Sequence, residues 1–335
     1  MAFPKVRKLL LAVPIALLIA AVATLGASAS RTAGPLDGKK VGLEFCTDQN
    51  PFCAAWIKAF KGYLEGKGAT VTVLTSPFDP AKDASNMNQL IAGSPDLIAV
   101  TPADPNAIVP SLARAQKAGI KLLNTIGRLT PAGNKYVVAS VLTDNAALAR
   151  FAAQNIDEGL KKIGVQHGQV MMLTGTATQL IVQDRVKAFK AELAKRGHKL
   201  VASQDTNWDQ ATSAKVAQQL LAKYQSKGGI QGAYGMADNM AVGIIQGAQQ
   251  AGVKVGVAKK GLVVSGSNCL SVGIKAIQDG SQFGTATQAP LTEATAAAKA
   301  AEAILLGKAV PKVTYVTEYR ITKANVGKFA KLCSF

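Results

Sequence analysis

Histidine, acidic side chains and aromatics are all scarce in this chain. Only two histidines occur in 335 residues, His167 and His198, so a multi-histidine metal site is excluded. Twenty Asp and Glu stand against 38 Lys and Arg, a formal charge of +18. Four cysteines in so long a chain exclude a disulfide-dense miniprotein. None of them is spaced Cys-x-x-Cys, which disfavours a zinc site of four cysteines, and no other metal site is expected. Catalytic signatures are missing too. There is no G-x-S-x-G elbow, no G-x-x-x-x-G-K-[ST] phosphate loop and no H-E-x-x-H. No G-x-G-x-x-G follows the first strand-like run, so a dinucleotide enzyme is disfavoured and no cofactor is expected. Cys46 or Cys53 as a nucleophile would lack a base. What is present is apolar: 48% hydrophobic residues, far too many for a disordered chain, over a length that suits two domains.

Residues 1–29 read as a cleaved signal peptide outside the fold. Lys5, Arg7 and Lys8 form the basic region, Leu9–Leu25 is nearly all apolar, and Ala27-Ser28-Ala29 is a small-x-small cleavage pattern. The alternative is an uncleaved anchor, since the run approaches the ~20 residues that span a bilayer. No other segment has 18 consecutive apolar residues. Cleavage removes three cations and leaves +15. Export argues against nucleic acid as a partner. It also places Cys46, Cys53, Cys269 and Cys333 in an oxidising compartment. Sequence alone allows three pairings, of which Cys46–Cys53 with Cys269–Cys333 is preferred.

The mature chain alternates short β-rich runs with stretches of helical period. Strands are expected at Val41–Phe45, Val71–Leu74, Leu97–Val100, Lys121–Asn124 and Tyr136–Val141. A second set follows at Gln169–Leu173, Leu200–Gln204, Gln231–Met236, Leu262–Ser265 and Gln282–Gln288. Helices are expected at 53–65, 80–92, 145–162, 179–196, 210–226, 239–251, 270–279 and 290–306, and Val313–Ile321 reads as one more strand. The fold class is therefore α/β: two similar doubly wound, Rossmann-like parallel-sheet lobes. Such sheets bind ligands beyond the carboxyl ends of their strands, which points to a cleft between the lobes.

Several segments, in this order and spacing, carry a resemblance. They are Asn50-Pro51-Phe52, Asp79-Pro80-Ala81-Lys82, the run from Leu90 through Ser94-Pro95-Asp96 to Pro102, Ala118-Gly119-Ile120-Lys121-Leu122-Leu123, Thr143-Asp144-Asn145 and Val263-Val264-Ser265-Gly266. Together they resemble the ribose-type periplasmic sugar-binding proteins, type I solute receptors of ABC importers, across essentially the whole mature chain. The resemblance implies two lobes and three hinge crossings near 143–145, 288–290 and 316–319. The N-terminal lobe is then 38–143 plus 289–316, and the C-terminal lobe 144–288 plus 317–335.

It also implies a ligand set. Asn50 and Phe52 match the loop after the first strand, and Arg185 matches an arginine aimed at the ligand. Trp208, in the polar stretch 205–209, matches a stacking aromatic, and an indole suits the C–H face of a sugar. Asp238, with Asn239 beside it, suits hydroxyl recognition or helix capping equally well. Gln288 matches a pocket glutamine, whereas Asp144 and Asn145 suit the hinge and a helix cap, and Trp56 the core. The departures matter as well. Gly127-Arg128 and Gly266-Ser267-Asn268 each stand where ribose receptors have a carboxylate, so Arg128 and Arg185 lose acidic partners. That suggests a ligand with a negative group, such as a sugar acid, or one larger than a pentose.

The expected function is a non-enzymatic exported solute-binding protein. It would close as a monomer on a sugar, polyol or sugar acid and deliver it to ABC permease subunits. A binding protein that presents its ligand to a membrane sensor is the rival from another class. A secreted α/β hydrolase is a third, for which no nucleophile–base pair is evident.

Overall fold

The computed structural model describes residues 1, 2, 4 and 34–335. The expected signal peptide, but for residues 1, 2 and 4, lies outside the described residues. From Lys40 the chain alternates strand and helix: β1 (Lys40–Cys46), α1 (Pro51–Glu65), β2 (Thr70–Ser76), α2 (Pro80–Ala92), β3 (Leu97–Val100), α3 (Val109–Lys117), β4 (Lys121–Ile126), α4 (Pro131–Asn134) and β5 (Ala139–Thr143). It continues with α5 (Asn145–Lys162), β6 (Gln169–Thr174), α6 (Leu180–Lys195), β7 (Lys199–Asp205), α7 (Gln210–Tyr224), β8 (Gly232–Gly235), α8 (Asp238–Gln250), β9 (Val263–Ser265), α9 (Ser271–Asp279) and β10 (Gly284–Ala286). It ends with α10 (Pro290–Leu305), β11 (Val313–Val316), β12 (Arg320–Thr322) and α11 (Val326–Phe329).

The strands form two six-stranded sheets, ordered β11-β5-β4-β3-β1-β2 and β12-β10-β9-β8-β6-β7. Each is doubly wound, with the strand order reversing beside the first strand of its lobe. The chain passes between the sheets three times: after Thr143, between Ala286 and Pro290, and between Val316 and Arg320. Two expectations are corrected. Val313–Ile321 is not one strand but two, in different sheets, because the residues between them make the third crossing, with the Tyr319 N–H on Thr287 Oγ1. Nor is the second sheet wholly parallel, since β12 runs antiparallel to β10.

Local chemistry fixes the elements that matter most for the cleft. The Asn50 carboxamide oxygen accepts the Phe52 and Cys53 N–H groups, and Pro51 opens α1. Helix α1 buries Trp56, Phe60 and Leu64 at helical spacing. The Trp56 indole is stacked between Phe45 at 4.2 Å and Phe60 at 5.0 Å, in the core. Ala294, Ala297, Ala298 and Ala301 on α10 belong to this core, and their small side chains let α1 pack closely. In the second lobe, Asn155 of α5 is buried and donates to Ser265 Oγ and the Thr285 carbonyl. That ties α5 to the ends of β9 and β10.

Both preferred cysteine pairs are bonded, Cys46 to Cys53 and Cys269 to Cys333. The first joins the end of β1 to the first turn of α1. The second ties the C-terminal segment to the loop after β9.

Candidate ligand-binding site

A cavity of about 520 Å³, mouth included, lies between the two lobes. Its lining comes from the carboxyl ends of strands in both sheets. Cys46, Asn50, Phe52 and Cys53 follow β1, Phe78 follows β2, Thr101 follows β3, and Ile126 ends β4. From the second lobe, Gln179, Ile181 and Arg185 follow β6, Trp208 follows β7, and Ala237 and Asn239 follow β8. Asn268 and Leu270 follow β9, and Gln288 follows β10 at the second crossing.

The backbone is unusual here. Among the described residues nine non-glycines have positive φ, and five line this cavity: Phe78 (59°), Ile126 (65°), Trp208 (61°), Asn268 (87°) and Gln288 (116°). A positive φ crowds Cβ against the backbone, most severely for a β-branched residue such as isoleucine. Each such residue costs about 1–3 kcal/mol and persists only where its surroundings over-determine it. Their concentration at strand ends facing one cavity makes that cavity the candidate ligand site.

Arg185 is 1% exposed and spans the site. Its Nε donates to Asn145 Oδ1 (2.8 Å), Nη1 to the Met236 carbonyl (2.7 Å) and Nη2 to Gln288 Oε1 (2.7 Å). Its guanidinium lies 5.6 Å from the centre of the Trp208 ring. The Trp208 Nε1–H donates to Gln179 Oε1 at 2.8 Å, and the Trp208 carbonyl accepts from Asn239 Nδ2 at 2.8 Å. Gly175 leaves room for this indole, because a Cβ there would strike the Trp208 ring. Across the cleft, Phe78 of the first lobe sits 6.4 Å from Trp208.

The crossings themselves are polar and buried. Gln288 Nε2 donates to Thr143 Oγ1 at 3.2 Å, and that hydroxyl also binds Glu293 Oε1. Thr287 Oγ1 donates to Glu318 Oε2 at 2.7 Å. Burial, and for Glu293 the neighbouring Glu318, hold both carboxyls well above the usual range. The Asp144 carboxylate caps α5 through the Ala147 N–H, while Asn145 orients Arg185.

Of the expected site residues, Asn50, Phe52, Arg185, Trp208, Asn239 and Gln288 line the cavity. Two do not. Arg128 sits at a neighbouring recess, where Asp184 of the second lobe neutralises it, so it does not lack an acidic partner. Asp238 is fully buried beneath the loop after β9, accepting the Leu270 N–H at 2.9 Å and Gln282 Nε2 at 2.8 Å. It neither faces the cavity nor caps α8, whose N-cap is Ala237. The sequence reading also passed over Phe78 and Gln179, and took Asn268 only as the loss of a carboxylate. Gln179 is a polar residue shortly after a strand and was in principle findable. Phe78 gains its place from its left-handed backbone, which has no sequence signature.

Comparison with known proteins agrees with this architecture. A family model described as periplasmic binding protein domain matches residues 41–309. The ribose import binding protein RbsB of Haemophilus influenzae is 27% identical over 286 residues, 85% of this chain and 91% of that protein. The D-allose-binding periplasmic protein of Escherichia coli is 30% identical over 258 residues, 73% of this chain and 77% of that protein. Among solved structures, the binding component of the arabinose ABC transporter from Shewanella sp. ANA-3 superposes with a TM-score of 0.80 at 19% identity. That superposition covers 88% of this chain and 95% of that one.

Proposed function

The chain belongs to the periplasmic binding protein family, whose members are non-enzymatic solute receptors of ABC importers, and we propose that it is such a receptor for a sugar-like solute. It is exported, its leader being removed after Ala29, and it binds a small polyhydroxy compound between its lobes. It then hands the ligand to a membrane permease. The inter-lobe cavity walled by five left-handed residues is the observation that carries this reading. Relatives named for ribose and D-allose support the solute class.

The mechanism is a population shift. The three crossings at 143–145, 286–290 and 316–320 act as the hinge. Ligand contacts to Asn50 and Phe52 on one lobe and to Arg185 and Trp208 on the other exist together only when the lobes are closed. Binding therefore favours closure by its differential affinity for that state. The Cys46–Cys53 bridge stiffens the wall on which Asn50 and Phe52 sit. Asp144 and Asn145 start α5 at the first crossing, so lobe motion is transmitted directly to Arg185.

A thermal-shift screen of the mature protein over sugars, polyols and sugar acids tests this. Ligand at 100 times its Kd stabilises the fold by about 2.7 kcal/mol through mass action. At least one panel member should raise the Tm. A flat response across the panel would overturn the reading.

A further inference from the structure

The hydrogen-bonding valence of the cavity narrows the ligand further, an inference that rests on the function proposed above. Each cavity amide is fixed in orientation by a partner that leaves no choice. Asn50 Oδ1 caps α1, so its Nδ2 is the free group. Gln179 Oε1 accepts from the Trp208 indole, a donor only, so Nε2 is free. Gln288 Oε1 must accept from Arg185 Nη2, which obliges Asn268 Nδ2, 2.7 Å from the same oxygen, to donate to it. Asn268 Oδ1 is then left buried with no partner. Asn239 Nδ2 serves the Trp208 carbonyl, leaving its Oδ1 free.

Arg185 carries five N–H groups, of which three are committed and a fourth lies against the buried Tyr234 hydroxyl, so at least one terminal N–H remains for a ligand. The uncommitted donors of Asn50, Gln179 and Arg185 thus outnumber the acceptors, which are the amide oxygens of Asn239 and Asn268 and the Thr101 hydroxyl. Among the described residues no carboxylate lines the cavity, and Arg185 is the one charged side chain that does. Every hydroxyl of a neutral sugar brings a hydrogen that needs an acceptor, and this site has few. A carboxylate brings acceptors only. It is also the group that an arginine flanked by amide N–H binds most strongly.

We propose that the ligand is a polyhydroxy carboxylate, an aldonate or uronate. Its carboxylate takes the spare N–H groups of Arg185, and its hydroxyls donate to Oδ1 of Asn239 and Asn268. Its C–H face lies on Trp208 and Phe52. The surroundings of Arg185 agree. Two buried acids that interact with its charge, Glu293 in the first turn of α10 and Glu318 on the third crossing, are pushed by burial toward their neutral forms. They therefore compensate its charge only in part, which leaves room for an anionic ligand.

The test is calorimetric titration at neutral pH with pairs that differ in one oxidation: D-gluconate against D-glucose, D-galacturonate against D-galactose, D-ribonate against D-ribose. At least one acid should bind tenfold or more tightly than its neutral partner. Asn268→Asp adds a negative charge beside the ligand but also removes the N–H that Gln288 Oε1 accepts, and should weaken the acid at least tenfold and the neutral sugar by less. Arg185→Lys keeps the charge but not the fork, and should weaken the acid as well. A neutral sugar binding more tightly than its acid overturns the carboxylate assignment and leaves the solute-receptor reading intact. If none of the six binds while another sugar or polyol of the thermal-shift panel does, the carboxylate assignment falls alone, and if nothing in that panel binds, both fall.

Discussion

Arg128 of the first lobe and Asp184 of the second form a two-point ion pair across the cleft. Nε lies 2.8 Å from Oδ2, and Nη2 lies 2.9 Å from Oδ1. The fork geometry is the most specific that an arginine and a carboxylate can make. Asp184 holds the Arg128 guanidinium above its ordinary pKa. Neither residue lines the cavity, so the pair joins the lobes without depending on the ligand.

The pair is half exposed, and such bridges contribute roughly 0–1 kcal/mol. Arg128→Ala should therefore weaken ligand binding by about fivefold at most, faster release accounting for most of the loss. The preference among ligands should not change. Titrations at low and high salt check this, because screening should shrink the difference between wild type and variant. A change in ligand preference would show instead that Arg128 touches the ligand.

Asp238 gives the protein an inverted pH response. Burial pushes its carboxyl from the ordinary 3.8 up to about 7, against the hydrogen bonds from Gln282 and Leu270. Between these values the folded protein binds a proton that the unfolded chain does not. Its contribution is thus fully present below about pH 4 and is lost as pH rises through 7. A tenfold change in proton affinity is worth about 1.4 kcal/mol, so the effect reaches a few kcal/mol. In Asp238→Asn this part of the slope disappears. The Tm of wild type relative to variant should rise as pH falls from 8 to 5, read by calorimetry at several pH values. Parallel curves would contradict it.

The two disulfides should have separable roles. In the chain-entropy picture, closing 7 residues between Cys46 and Cys53 contributes about 2 kcal/mol, and closing 64 between Cys269 and Cys333 about 4. Cys269→Ala with Cys333→Ala should lower the Tm more than Cys46→Ser with Cys53→Ser. The latter pair lies in the cavity wall and should cost more in ligand affinity. Thermal melts and titrations of both double variants read this directly.

Much of the fold was legible because its signals are local. Strand β3 and helices α2 and α5 begin and end where the residue pattern puts them, since Pro80 and Gly93 bound α2 and Asp144 caps α5. The short helices α3, α4 and α11 were not foreseen, two of them having only four residues and little periodicity. The strand at 136–141 was placed early, because its pairing with β4 starts only at Ala139. At the site, residue type was enough to find Trp208 and Arg185. It misplaced Asp238, whose partners Leu270 and Gln282 are more than thirty residues away in sequence. It also could not foresee that Asp184, a helix neighbour of Arg185, would reach across to Arg128. Contacts of that range are set by how the two lobes meet.

The chain has two tryptophans, and the structure separates them: Trp56 lies in the first core, Trp208 in the cavity. The most direct test of the cavity as the binding site is a fluorescence titration with the tightest ligand of the sugar, polyol and sugar-acid panel. Wild type, Trp56→Phe and Trp208→Phe are compared, with Kd measured in parallel by calorimetry. The expected result is a saturable signal in wild type and Trp56→Phe that is lost in Trp208→Phe, together with a Kd at least tenfold weaker in Trp208→Phe. An unchanged Kd in Trp208→Phe, or a ligand signal carried by Trp56, would contradict binding between the lobes.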